Sequence, residues 1–225
     1  MHRRKQFAAM LVGSLVLTAV LVGQASAAVP PQSKAFGKSL AEWMNLYWTW
    51  YLGGDQDDHV GHVRFMPIPN GEYDSGSFTA DDPGVLIGHA DVTLGPGNAF
   101  ALPVAAWIGE TYDPDLEIPD DEFLDDSIFT KTYAVVTIDG KTIMDSTAGP
   151  LDEFYYGPMA FDPVIYYDEP TDYGAIGAIW VQGLGFVHQP LSVGEHELSL
   201  VSEIIIADFD SGIRFENTWT ITVAP

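Results

Sequence analysis

Two hydrophobic periods divide this chain. From Leu40 to Leu52 apolar side chains recur at the i, i+3, i+4, i+7, i+8 spacing of an α-helix, through Leu40, Trp43, Met44, Tyr47, Trp48 and Tyr51. Ser39 with Glu42 three residues on is a capping-box signature, no Pro or Gly interrupts the run, and Gly53-Gly54 supply a left-handed stop. The pattern predicts one helix over 39–52, about 20 Å long at a rise of about 1.5 Å per residue. Leu46 and Trp50 make its flanks apolar as well, so only Glu42, Asn45 and Thr49 form a polar line. Such a helix needs cover on most of its circumference, from the body of the protein, a lipid or a partner.

Beyond Gly54 the period becomes two. Ile213, Phe215, Asn217, Trp219, Ile221 and Val223 alternate with Arg214, Glu216, Thr218, Thr220 and Thr222, the mark of a strand with one buried face. Further strands are predicted over Val60 to Met66, Val85 to Leu94, Ala99 to Ile108, Thr132 to Ile138, Lys141 to Met144, Ile176 to Gln182 and Glu197 to Ala207. Asp139-Gly140 between two of them is a type I′ hairpin signal, because that turn needs positive φ at both central residues. Short strands punctuated by 22 Gly and 15 Pro, with no βα alternation, predict a mainly β protein. The expected architecture is an antiparallel β-sandwich or jelly roll with the Trp-rich helix packed on it.

Composition adds where the chain goes. Arg3-Arg4-Lys5, the apolar stretch Phe7 to Val22 and Ala25-Ser26-Ala27 have the layout of a signal peptide over residues 1–27, with cleavage before Ala28. Gly13, Ser14 and Thr18 break the apolar run, which favours a removable signal over a membrane anchor; the paired arginines fit the twin-arginine route poorly. An extracytoplasmic location, secreted or periplasmic, and no transmembrane segment after signal removal are therefore expected. No repeat or linker divides 28–225, which is expected to be a single domain. With 47% hydrophobic residues it can bury a sizeable core. Losing Arg3, Arg4 and Lys5 leaves 6 basic against 32 acidic residues, a net charge of −26. That surface repels phosphate backbones and acidic lipids, which argues against nucleic-acid partners. The absence of cysteine excludes disulfides, thiolate nucleophiles and cysteine metal sites.

The stretch Lys38-Ser39-Leu40-Ala41-Glu42-Trp43 followed by Tyr47-Trp48-Thr49-Trp50 resembles the S-x-x-E-W…W-W-x-W helix that opens a family of exported bacterial proteins of unknown function. Gly97-Asn98-Ala99 leading to Leu102-Pro103-Val104, Ile138 to Lys141, Gly157-Pro158 with Phe161, and Pro190 to His196 extend the resemblance over most of the mature chain. Relatives often carry a cysteine near Val92 to Leu94, which this chain lacks. The resemblance implies export and a β-rich fold, and it implies no chemistry.

Candidate chemistry begins with acids. Asp113, Asp115, Glu117, Asp120, Asp121, Glu122, Asp125 and Asp126, stiffened by Pro114 and Pro119, could converge on Ca²⁺, which takes six to eight hard oxygen ligands. A solvated, self-repelling loop is the competing reading, since the EF-hand spacing is absent. Asp55, Asp57 and Asp58 read as a charged turn. His59 and His62, three apart on a strand, point to opposite faces, so a metal there would need His89 and a carboxylate. His196 is expected to order the Pro190 to Gly194 turn.

For catalysis, no G-x-S-x-G elbow and no phosphate-cradling loop with Lys occur. Glu110, Glu153, Glu203 and Asp208 could each join a glycosidase-type carboxylate pair. Tyr155, Tyr156, Tyr166 and Tyr167 lie in a stretch rich in Pro, Gly and Asp, where rings exposed on long loops beside carboxylates would suit sugar or protein recognition. The same rings could instead close the end of a sandwich. Two functions follow: non-catalytic binding of a glycan, a matrix component or another exported protein, assisted by Ca²⁺ or not, and, alternatively, a secreted carboxylate-pair hydrolase acting on a polysaccharide.

Overall fold

The computed structural model describes residue 29 and residues 33–54, 57–69 and 71–225. The signal peptide over 1–27 and Asp55 lie outside the described residues. Helix α1 (Leu40–Gly53) forms as its pattern predicts. Ser39 Oγ accepts from the Glu42 amide at 3.2 Å, Glu42 reaches back to the Ser39 amide at 2.7 Å, and Gly54 ends the helix at φ 71°.

The chain then runs through β1 (His59–Val60), β2 (Val63–Phe65), β3 (Glu72–Ser75), β4 (Gly84–Leu94) and β5 (Ala99–Tyr112). The acidic loop and the short α2 (Ser127–Thr130) lead to β6 (Tyr133–Ile138), β7 (Lys141–Asp145) and β8 (Tyr155–Tyr166). Three long strands finish it: β9 (Ala175–His188), β10 (Gly194–Ile206) and β11 (Ser211–Val223). They form a five-stranded sheet, β1-β2-β5-β9-β8, and a six-stranded sheet, β3-β4-β11-β10-β6-β7. Pairing is antiparallel except for β2 with β5 and β4 with β11, which run parallel. Asp139 and Gly140 both take positive φ, 51° and 71°, as the type I′ reading of that hairpin requires.

The molecule is mainly β, a two-sheet sandwich with the Trp-rich helix packed on it. Phe100, Leu102, Leu184 and Phe186 of the five-stranded sheet meet Leu198, Leu200, Trp219 and Ile221 of the other in one core. The opposite face of the five-stranded sheet carries a second core, where Ala99, Ala101, Ala178, Val181 and Val187 lie under Trp43, Met44, Tyr47 and Trp48. This sheet is covered on both faces, which is why β5 and β9 read as near-continuous apolar runs. Small residues admit the helix: a Cβ on Gly185 would lie 2.6 Å from Met44 Sδ. The buried rings keep their polar atoms satisfied, Trp43 Nε1 donating to the Ala35 carbonyl (2.7 Å), Tyr47 to that of Met66 (2.6 Å) and Trp48 Nε1 to Tyr156 (2.8 Å).

Two strands were not predicted, and the run Val60 to Met66, predicted as one strand, turns at Gly61-His62 into the antiparallel pair β1 and β2. The short β3 is exposed along its length and carries no buried face to announce it. On β8, Pro158 and Pro163 disguise the run, since Pro is tolerated only at edges and irregular positions; β8 is an edge strand whose register shifts between Tyr156/Met159 and Ala160/Ile165.

Candidate functional site

Strand β8 decides the fate of the four tyrosines. Tyr155 and Tyr156 are neighbours on a strand and so point to opposite faces. Tyr156 is 2% exposed beneath α1, whereas Tyr155 packs toward the inter-sheet core and donates to Asp126 Oδ1 at 2.5 Å. Tyr166 is exposed, and Tyr167, just past the strand, donates to Glu110 Oε1 at 2.7 Å. The structure does not bring the four together as one recognition surface, and two of them are ordered into the body of the protein by β-pairing that the prolines concealed.

The acidic loop turns its carboxylates onto the protein's own donors. Asp113 Oδ1 accepts from the Asp115 amide, Asp120 from Thr111 and Asp125 from the Ser127 amide. Asp121 is held twice, by the Glu110 amide at 3.0 Å on one oxygen and by Tyr112 at 3.0 Å on the other. Its carbonyl accepts from Trp180 Nε1 at 3.0 Å, and the Trp180 ring meets Phe123 edge-on with centroids 5.1 Å apart. Gly109 leaves the space that this indole fills, since a Cβ there would fall 1.8 Å from Trp180 Cε2. Glu110 accepts from both Tyr167 and Tyr173. Burial first, and then these carboxylate bonds, push the Tyr112, Tyr155, Tyr167 and Tyr173 phenols up, so they remain protonated donors at physiological pH. Among the described residues, no group of three or more His, Asp or Glu side chains lies close enough together to hold a metal ion.

This pinned loop walls a pocket of about 280 Å³ lined by Trp107, Asp121, Glu122, Phe123, Leu124, Asp125, Ile128, Ile206, Asp208 and Phe209. Trp107 from β5 and Phe209 from the β10–β11 turn stack with centroids 6.3 Å apart and planes 29° from parallel. Phe209 and Phe123 are 62% and 59% exposed. Of the carboxylates singled out for a hydrolase, only Asp208 lines this pocket; Glu110 serves the tyrosines and Glu203 lies 3.6 Å from Arg214. Sequence reasoning missed the site because Trp107 and Phe209 are far apart along the chain. The available signals were Phe209 between Asp208 and Asp210 and Phe123 inside an acidic run.

The histidines go elsewhere. His59 lies 3.1 Å from Asp58, whose other oxygen pairs with Arg64 at 2.7 Å; His89 lies against Thr218 and Asp91. His196 orders its turn as expected, with Nδ1 2.7 Å from Asp139 Oδ2 and Nε2 2.8 Å from the Ser192 carbonyl. Ser192 Oγ lies 3.4 Å from the same Nε2, a Ser-His-Asp grouping in outline. The Ser192 carbonyl, at 2.8 Å, is the nearer partner of that nitrogen, and both ring nitrogens are engaged in holding the turn.

It has a pH signature. Burial opposes the imidazolium, but the bonds to Asp139 and the Ser192 carbonyl outweigh it and raise His196 above its ordinary 6.5. Asp139 is likewise desolvated, yet His196 and the Glu197 amide hold it below 3.8, with Lys141 adding a weaker pull. The histidine contribution is complete below 6.5 and fades as pH rises through the raised value; that of Asp139 is complete above 3.8 and fades as pH falls through the lowered one. The melting-temperature gap between the wild type and His196→Gln is therefore expected to be widest from about pH 4 to 6.5 and to narrow as the pH rises above that range. A gap that stays constant as the pH is raised well above 6.5 would contradict the assignment.

Neither the protein-family models nor the curated proteins contain a match to this chain. Among the described residues no helix is long and apolar enough to cross a membrane.

Proposed function

We propose that this chain is an exported, non-catalytic binding protein whose ligand is a carbohydrate and whose site is the pocket between the acidic loop and the β10–β11 turn. The stacked Trp107 and Phe209 rings beside Glu122, Asp125 and Asp208 carry the reading. Flat rings cover the apolar face of a sugar at low entropic cost, and carboxylates accept its hydroxyl hydrogens. Export rests on the layout of residues 1–27, and the surplus of acidic residues favours neutral or cationic glycans over anionic ones.

Binding without hydrolysis is favoured by how two of the pocket's carboxylates are used. Asp121 is committed on both oxygens, and Asp125 is held below the usual carboxylate range by the Ser127 hydroxyl and amide. A glycosidase acid needs the opposite shift, toward a proton retained near neutrality.

Calorimetric titration with soluble oligosaccharides, guided by a glycan array, tests the reading. Trp107→Ala and Phe209→Ala are each expected to weaken binding about tenfold or more, the scale of a lost aromatic anchor. Tyr166→Ala, on the exposed edge strand outside the pocket, should leave affinity unchanged. Release of reducing ends from a bound polysaccharide would establish the hydrolase instead, and equal losses in all three variants would remove the pocket from the account.

A further inference from the structure

Outside both cores stands a second pair of stacked rings. Tyr73 on the edge strand β3 and Phe78 in the loop 76–83 have centroids 5.7 Å apart and planes 27° from parallel, and they are 60% and 44% exposed. Neither ring joins the buried clusters that hold the sandwich together. Phe78 nevertheless adopts φ 60°, in the left-handed region that bulky residues avoid. Such a conformation persists only where its surroundings over-determine it, and it gathers at binding sites.

Here the surroundings do so. The Ser77 amide donates to the Asp82 carbonyl at 3.0 Å and the Ser77 hydroxyl to Asp82 Oδ2 at 2.6 Å, which closes the loop on itself. The Tyr73 hydroxyl donates to the Gly76 carbonyl at 2.6 Å and so keeps one ring beside the other. Gly84 at the start of β4 leaves the space that the Phe78 ring occupies, since a Cβ there would fall 2.2 Å from Phe78 Cδ1. Gly84 is opposite Ile213 of β11, which packs on the core between the sheets, so the Phe78 ring lies on the side of its sheet that faces the other sheet.

One turn serves both ring pairs. The Phe78 carbonyl accepts from the Gly212 amide at 3.1 Å, and Asp210 Oδ1 accepts from the Ala80 amide at 3.1 Å. Gly212 is three residues beyond Phe209, which stacks on Trp107, and three residues of chain span at most about 11 Å. Asp208 lines the first pocket and Asp210 braces the second loop through one oxygen, so acceptors flank Phe209 on both sides.

We propose that the Tyr73–Phe78 pair is a second sugar-stacking subsite of the surface that begins at Trp107 and Phe209, and that the ligand is an extended, neutral or cationic polysaccharide chain. This rests on the carbohydrate reading of the first pocket. A chain long enough to reach both ring pairs binds more tightly than a short one, because its second contact forms within a complex already made. Asp74, Asp81 and Asp82 around the second pair add to the bias against anionic chains.

Calorimetric titration of the mature protein with cello- and chito-oligosaccharides, as dimers and as hexamers, tests the proposal. The wild type is expected to bind a hexamer about tenfold or more tighter than the dimer of the same series. Phe78→Gly and Tyr73→Ala should each lose most of that gain and leave the dimer affinity unchanged, whereas Trp107→Ala weakens both lengths. Glycine adopts the left-handed backbone freely, so Phe78→Gly removes the ring without forcing the loop to rearrange, and Tyr73→Ala carries the test where that variant fails to fold. Hexamer affinities equal to the wild type in both variants would overturn the second subsite and leave the first pocket standing. Absence of binding of either series to the wild type would overturn both readings. A wild type that self-associates in sedimentation, with Phe78→Gly monomeric and no gain with chain length, would make the ring pair a contact between copies and overturn the proposal.

Discussion

Replacing Trp43 by Ala is expected to lower the unfolding free energy by about 3–5 kcal/mol, the usual cost of deleting a core aromatic. Trp43 is 2% exposed and its indole N–H is tied to the Ala35 carbonyl at 2.7 Å, so the change opens a cavity and leaves that carbonyl without this partner. Denaturant unfolding of the two proteins measures the difference. The outcome also separates the two covers that so apolar a helix could have had. Trp43, Met44, Tyr47 and Trp48 face the sheet beneath them, and a lipid-facing helix would instead lose vesicle binding at constant stability. An unchanged midpoint would sink the packing account.

Gly183→Ala is expected to cost about 3 kcal/mol, at the upper end for overpacking, although it adds only a methyl group. The new Cβ would lie 2.1 Å from the Ala105 carbonyl oxygen and 2.8 Å from the Ala106 Cα, both backbone atoms of the paired strand. Those atoms cannot move aside without disturbing the β5–β9 ladder at the centre of the five-stranded sheet. The Tyr156 hydroxyl, 3.0 Å away, would also be pressed against its Trp48 partner. Gly149→Ala is the control: its Cβ would meet nothing within 4 Å, and its midpoint should stay within about 0.5 kcal/mol of the wild type. If both glycine variants unfold together, close strand approach is not what glycine supplies at 183.

Both predictions depend on features that differ in how far one sequence can reveal them. The capping box at Ser39 and Glu42 and the turn at Asp139-Gly140 are interactions between residues at most three apart, and their chemistry permits few alternatives. Alternation on β11 was equally legible, because one face of that strand meets a core and the other does not. The covered sheet was harder. Strands β5 and β9 lose their alternation when a helix lies on the second face, and β9 extends to both sides of its predicted span. The prolines of β8 and the wholly exposed β3 removed the remaining signals.

What the chain determined by itself is whatever short-range chemistry enforces: one helix with both ends capped, a set of period-two strands, and an acidic surplus that disfavours anionic partners. Only the tertiary structure decided which distant residues meet. Asp121 gains its meaning from Tyr112, Glu110 and Trp180, and Phe209 from a stack on Trp107. Asn217 was visible on the buried face of β11, yet only the structure shows its Oδ1 without a hydrogen-bond partner among the described residues. The physical reason is common to all three. Hydrogen-bond satisfaction and ring contact depend on through-space distances of a few ångströms, and strand pairing sets those distances between residues whose separation along the chain carries no trace of them.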